Sequence, residues 1–328
     1  MTSEHTTSVL VPRFLLQGHG AELERVVAGR AELVGDDDPA VATHPPDDLE
    51  VIVTGGDGPV FDRAIALPRV RWVHSISAGV EHLPLDQMAE RGIVLTNSAG
   101  AYATAMAEYV VAASILLARN LPGWLEGQRE RRWLDGDAFD ASLLRGKRIG
   151  IIGYGAVGRE IAAAAKALGM EVWATKRTPV FASGEPVDRL LPADGLHELL
   201  ASSDVVVLSA SLNRSTRAVI GETELGAMKP TAILVNIARG GLIVEDALVR
   251  ALTDGRIRGA MLDVTREEPL PVDSPLWATP NLLITPHISG NASESWDAAV
   301  EFLCANLALY LDGTPERMGN IVDYPAAL

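Results

Sequence analysis

An isoleucine-rich run at 148–153, RIGIIG, passes directly into Gly153-Tyr154-Gly155-Ala156-Val157-Gly158 and then into an alanine-rich helical pattern over 159–168. A strand that turns into a helix through three spaced glycines has few ways to fold. Gly153 permits the tight turn, Gly155 lets the backbone approach a ligand, and Gly158 allows the helix to pack closely on the strand. The helix start adds unpaired N–H groups and a positive dipole end, which suit a pyrophosphate. The whole loop, with Tyr154, Ala156 and Val157, is therefore expected to line a dinucleotide.

The surroundings repeat the same alternation. Apolar runs at 171–175, 205–210, 233–238, 260–264 and 282–286 are interleaved with helical patterns such as 196–202 and 244–254. In the first hundred residues, comparable runs begin at Ser8, Val51, Arg71 and Ile93. Such alternation predicts an α/β chain with two doubly wound parallel-sheet domains. A chain of 328 residues accommodates two cores of ordinary size. The helical pattern over 293–311 is long enough to return to the first domain, so that domain should be discontinuous. We expect residues 1–98 with 291–328 to form it, residues 99–290 to form an inserted dinucleotide-binding domain, and a cleft to lie between them. A long helix is expected over 101–119, stopped by Asn120-Leu-Pro-Gly, and residues 124–140, which lack periodicity, read as an extended arm.

Composition removes several classes of function. A formal net charge of -15 opposes general affinity for nucleic acid or anionic lipid. An anionic substrate must then be met by local positive charge. The lone cysteine, Cys304, cannot form an internal disulfide, and no Cys/His spacing points to a metal; a reducing cytoplasm fits such a chain. The first residues, MTSEHTTS, lack a secretory pattern, and the apolar stretch at 109–118 is far shorter than the ~20 residues of a membrane span.

Cofactor choice should be decided where the next strand ends. An acidic residue about 20 positions beyond the glycines would bond the ribose 2′-hydroxyl of NAD. Here the strand ends in Thr175-Lys176-Arg177-Thr178. Two cations and a hydroxyl suit a 2′-phosphate, which predicts NADP(H) as the preferred cofactor with NAD(H) possible.

Three later strand ends carry polar residues of unlike type: Asn236-Ile237-Ala238-Arg239, Asp263 through Glu268-Pro269, and Thr285-Pro286-His287. Reducing a 2-oxoacid needs a cation for the carboxylate and an acid for the carbonyl oxygen. Arg239 and His287 meet those needs, and a carboxylate beside the imidazole would favour its protonated form. Glycines at other strand ends, Gly55 and the Ala78-Gly79 pair, stand where open parallel sheets gather ligands. Trp296 reads as a packing group near the His287 loop.

The motifs SAGV at 77–80, GYGAVG at 153–158, NIARGGLIVEDAL from Asn236, LDVTREEPLP from Leu262 and PNLLITPHISG from Pro280 occur in order over nearly the whole chain. In this it resembles the D-isomer-specific 2-hydroxyacid dehydrogenase family. The resemblance implies a Rossmann cofactor domain inserted in a discontinuous flavodoxin-like substrate domain, and reduction of a small anionic 2-oxoacid, glyoxylate- or hydroxypyruvate-like or larger, to the D-2-hydroxyacid. It implies that Arg239 holds the carboxylate, that His287 is the general acid/base and that Glu268 is its partner, with Glu267 a solvated charge. It assigns Asp263 to the nicotinamide carboxamide, the Ala78 and Gly79 amides to the substrate, and Thr104, Ala210 and Ile237 to the cofactor's surroundings. Lys176 in place of an acidic residue resembles the NADP-using glyoxylate/hydroxypyruvate reductases, while Ser209-Ala-Ser-Leu-Asn213 departs from the family's usual proline-bearing pattern. A homodimer built through the cofactor domain and the arm is also implied. Two alternatives stay open: oxidation of another small anion, formate or phosphite, and a cofactor-sensing protein resembling corepressors of this fold.

Overall fold

The computed structural model describes residues 7–134, 141–180 and 183–327. It divides into two compact units, one taking the chain up to Tyr102 and again from Ala292, the other Ala103–Asn291. The first unit holds strands β1 (Thr7–Val11), β2 (Ala31–Gly35), β3 (Leu49–Thr54), β4 (Trp72–Ser75) and β5 (Val94–Asn97). All pair in parallel, in the order β2-β1-β3-β4-β5. This is the flavodoxin-like order, with its switch point between β1 and β3. The second unit holds β6 (Arg148–Ile152), β7 (Glu171–Thr175), β8 (Arg189–Leu191), β9 (Val205–Leu208), β10 (Ile233–Asn236), β11 (Gly259–Leu262) and β12 (Leu282–Ile284). Their parallel order, β12-β11-β10-β9-β6-β7-β8, is that of a doubly wound dinucleotide-binding sheet.

The central strands form for the reason their composition suggests. β9, β10 and β11 are buried at every position, as continuous apolar runs covered by helices on both faces must be. One face of the second sheet packs Ile151, Val207 and Val235 against helices Ala103–Ala118 and Ala156–Ala167; the other packs Val206, Leu208 and Leu234 with Leu248. In the first unit, helix Ser293–Leu311 contributes Val300, Leu303 and Leu307 to the core beside Val9, Val51 and Trp72.

Three features differ from the sequence-based expectation. β2 and β8 were not anticipated: both are edge strands with only one buried residue each, so neither shows a continuous apolar run. The segment expected to be an extended arm is helical at its start, because helix Leu121–Arg129 begins with Pro122 in its first turn, where proline is well accommodated. Residues 130–134 of that arm are in neither helix nor strand, and 135–140 lie outside the described residues. Strands expected to run to Ala210, Ala238, Val264 and Pro286 end two residues earlier, releasing the polar positions that follow from the ladder. Among the described residues, no helix is long and apolar enough to cross a membrane.

His74 illustrates what the first core demands of a polar side chain. It sits on β4 with no solvent exposure, its Nδ1 2.8 Å from Thr96 Oγ1 and its Nε2 3.3 Å from Ser98 Oγ. Burial pushes its pKa from 6.5 down to about 3. The unfolded chain therefore takes up a proton as pH falls through 6.5, while the folded unit resists until about 3. The neutral imidazole's contribution to stability is complete above pH 6.5 and is lost progressively between 6.5 and 3. Urea unfolding across that window should show a falling midpoint that is flattened in His74→Gln. Equal slopes for the two proteins would show that His74 does not govern the acid limb.

Candidate active site

The second unit gathers its polar residues at the C-terminal ends of β10, β11 and β12, three neighbouring strands. Arg239 follows β10, Glu268 lies in the loop after β11, and His287 follows β12. Adjacent strands are about 4.8 Å apart, so residues leaving three neighbours in one direction share a small patch. The carboxylate of Glu268 joins two of these loops. Its Oε1 accepts from the Thr265 N–H at 2.9 Å, and its Oε2 lies 2.8 Å from His287 Nδ1. An ionised carboxylate can only accept, so the proton of that contact sits on Nδ1 and Nε2 takes no part in it. The His287 side chain is half-exposed and that of Glu268 about a third exposed, so the pair is open to a ligand.

Arg239 is tied to the same patch through the backbone beside it. Its Nη1 donates to the Ala238 carbonyl at 2.6 Å, and its own carbonyl accepts from Asn236 Nδ2 at 2.9 Å. Gly240 is packed so tightly that a side-chain carbon there would lie 2.0 Å from the Thr265 carbonyl carbon. The Arg239 segment thus rests directly on the residue whose N–H orients Glu268.

Asp263 is 1% exposed. Its carboxylate accepts from Thr285 Oγ1 at 2.7 Å, from the Ile288 N–H at 2.8 Å and from the Ser289 N–H at 2.9 Å. Its main-chain carbonyl accepts from the His287 N–H at 2.8 Å. These bonds hold His287 at φ +55, a left-handed conformation that costs a residue with a side chain about 1–2 kcal/mol. Glu267 is exposed.

The glycine loop lies between β6 and helix Ala156–Ala167. Gly153 has φ +98, and a side-chain carbon on it would meet the Ala210 backbone at 2.6 Å. One on Gly158 would lie 2.4 Å from the Gly153 carbonyl oxygen, whereas Gly155 faces open space. The loop is therefore closed on itself at its outer glycines and open at the middle one, where a pyrophosphate needs room beside the helix N-terminus. Val157 and Ala156 lie in the first helical turn. The Tyr154 side chain is buried in the core, as is that of Ile237, so only their backbones are available to a ligand. Ser209, at the departure from the family pattern, donates through Oγ to the Gly153 carbonyl at 2.7 Å and braces the turn. Thr104 is exposed in the first turn of helix Ala103–Ala118.

Lys176, Arg177 and Thr178 follow β7; Lys176 is partly exposed and the other two are exposed. A carboxylate that local spacing did not reveal enters the same corner. Glu185 accepts from Arg159 Nε at 3.1 and 3.2 Å, and the Arg159 guanidinium lies 5.4 Å from the Tyr154 ring centroid. The Tyr154 hydroxyl beside it, then Arg159 and Lys176, hold the Glu185 carboxyl below its ordinary range. Only its position in the loop between β7 and β8 could have drawn attention to it.

In the first unit, Gly55 follows β3 and Ala78-Gly79 follow β4. Asn97 Nδ2 donates to the Ala78 carbonyl at 2.7 Å and the Tyr102 hydroxyl to the Ile76 carbonyl at 2.6 Å, which fixes that loop. Gly55 borders a cavity of about 510 Å3 at the β1/β3 switch point, with Arg13, Phe14, Gln17 and Phe61 among its walls. Trp296 packs edge-on to Phe14 and Tyr102, at centroid distances of 5.6 and 6.1 Å.

Comparison with known proteins bears on all of this. Residues 111–289 match the family model described as D-isomer specific 2-hydroxyacid dehydrogenase, NAD binding domain. The chain is 36% identical over 263 residues to glyoxylate reductase of Thermococcus gammatolerans, covering 78% of this chain and 77% of that protein. It is 36% identical over 284 residues to glyoxylate/hydroxypyruvate reductase B of Pectobacterium carotovorum, covering 84% and 85%. Among solved structures, a D-isomer specific 2-hydroxyacid dehydrogenase from Xanthobacter autotrophicus Py2, in complex with NADPH and MES, superposes with a TM-score of 0.82 at 27% identity, covering 98% of this chain and 99% of the other.

Proposed function

The chain belongs to the D-isomer specific 2-hydroxyacid dehydrogenase family, and from that premise we propose that it reduces a small 2-oxoacid to the D-2-hydroxyacid, with NADPH as its preferred donor. The observation that carries this reading is the 2.8 Å contact between His287 Nδ1 and Glu268 Oε2, one strand end away from Arg239. A carboxylate-held imidazole can give a proton to a developing alkoxide, and a guanidinium matches a carboxylate in planar, bidentate fashion. When bound, the reduced nicotinamide supplies the hydride. The chain's own task is to orient the oxoacid on Arg239 and to present the His287 proton to its carbonyl oxygen. Glu268 keeps Nδ1 protonated, aims Nε2 at that oxygen and balances the imidazolium that acts as the acid. In the reverse direction the same nitrogen removes the hydroxyl proton.

Preference for NADPH rests on Lys176 and Arg177, and is supported by the NADPH held in the Xanthobacter relative. Glu185 works against it by occupying part of the positive field of Arg159 and Lys176. Neutralising Lys176 and Arg177 together should raise the KM for NADPH about 10–100-fold, the loss of one or two charge-assisted contacts, and leave NADH within about threefold. Glu185→Gln should act in the opposite sense.

The test is a spectrophotometric panel of glyoxylate, hydroxypyruvate and longer aliphatic and aromatic 2-oxoacids, each with NADPH and with NADH, alongside formate and phosphite with the oxidised cofactors. Oxidation of NADPH by at least one oxoacid is the expected result. Turnover of formate or phosphite alone would replace the proposed reaction, and cofactor binding without any turnover would favour a sensing role.

A further inference from the structure

Residues 285–289, the strap that carries His287, are secured from a second direction by a side chain far away in sequence. The hydroxyl of Tyr109, on helix Ala103–Ala118, is in hydrogen-bond contact with Thr285 Oγ1, and Thr285 Oγ1 is 2.7 Å from Asp263 Oδ1. The order of protons in this chain follows from chemistry. A buried carboxylate paired with two backbone N–H groups accepts and does not donate, so the single hydroxyl proton of Thr285 goes to Asp263. Tyr109 must then donate to Thr285. We propose that Tyr109 and Thr285 are positioning residues for His287, locking the Asp263 carboxylate in the one orientation that ties down residues 285–289. This rests on the proposed role of His287 and adds two residues to it.

Several observations converge on that assignment. Asp263 Oδ1 takes two donors and Oδ2 one, so of about four acceptor positions on the carboxylate three serve the strap. The strap follows a strand of only three residues, none of them fully buried, and so has little packing of its own. His287 is in a left-handed conformation that relaxes unless held. Burial pushes the Tyr109 hydroxyl up to about 12, which keeps it a donor throughout the neutral range. Without the Tyr109 proton, Thr285 Oγ1 loses its fixed donor and the carboxylate loses a partner of defined direction. Displacing an acid–base group by about an ångström can lower turnover by about 10²-fold.

Three variants test this: Tyr109→Phe, Thr285→Val and Thr285→Ser. Thr285→Val should lower kcat roughly 10–100-fold and Tyr109→Phe roughly 3–10-fold, with NADPH affinity, measured by fluorescence titration, within about threefold of wild type. Thr285→Ser, which keeps the hydroxyl, should restore kcat to within about threefold. A readout independent of turnover is the ring 15N resonance of His287, identified by its loss in His287→Gln; it should be sharp in wild type and Thr285→Ser and broadened in Tyr109→Phe. Absence of oxoacid turnover in wild type would remove the functional reading yet leave this readout intact. Wild-type kcat and a sharp His287 signal in Tyr109→Phe would overturn the inference even if Thr285→Val failed to fold. So would a Tyr109→Phe variant whose loss lay wholly in NADPH affinity.

Discussion

If His287 is the proton donor proposed above, His287→Gln should lower oxoacid turnover by about 10²–10⁴-fold, the usual effect of a positioned proton donor, while the Kd for NADPH should stay within about threefold. Glutamine preserves a polar side chain that can still meet Glu268, so the strap and its bonds to Asp263 are retained. What disappears is the ring nitrogen proposed to pass a proton to the carbonyl oxygen. The loss should fall on kcat and kcat/KM together, the signature of an interaction made in the transition state. A variant that keeps the wild-type kcat and kcat/KM would sink the assignment of the proton donor.

That prediction depends on residues that local motifs reveal and on contacts they do not. The strands are legible where both faces are covered, because β9, β10 and β11 must then be unbroken apolar runs. Two of the four edges are not: β2 and β8 hold only one buried residue each and show no continuous apolar run, whereas the edge strands β5 and β12 do show one. The same division holds in the site. Arg239, Glu268 and His287 stand at strand ends inside short, recognisable segments. Tyr109 meets Thr285 across 176 residues and Glu185 meets Arg159 across 26, with no periodicity or spacing linking either pair. Glu185 also changes the physical reading of the cofactor corner. The strand end at Lys176 and Arg177 looks purely cationic in sequence, yet the following loop returns a carboxylate to it. Propensity and pattern describe what a segment does by itself; a contact between loops depends on the assembled sheet.

Gly240 is where the assembled sheet and the chemistry meet most closely. The motif Ala238-Arg239-Gly240-Gly241 holds two glycines, and the structure distinguishes them. A side-chain carbon on Gly240 would lie 2.0 Å from the Thr265 carbonyl carbon, 2.1 Å from its oxygen and 2.3 Å from the Arg266 nitrogen. All three are backbone atoms, so no rotamer change relieves the overlap. One on Gly241 would instead meet the Leu212 side chain at 3.0 Å, where a flexible methyl group can yield. Gly240→Ala should therefore force the loops after β10 and β11 apart. A cost of about 3 kcal/mol or more is expected for this unit, at the upper end for overpacking, against under ~1 kcal/mol for Gly241→Ala. The functional loss should exceed the loss of folded protein. Arg239 is attached to one of the displaced loops, and Thr265, whose N–H orients Glu268, to the other. Denaturant unfolding of both variants, with kcat measured on the folded fraction, separates the two effects. If Gly240→Ala were as stable and active as Gly241→Ala, the guanidinium and the Glu268–His287 pair would not depend on this contact between loops for their common placement.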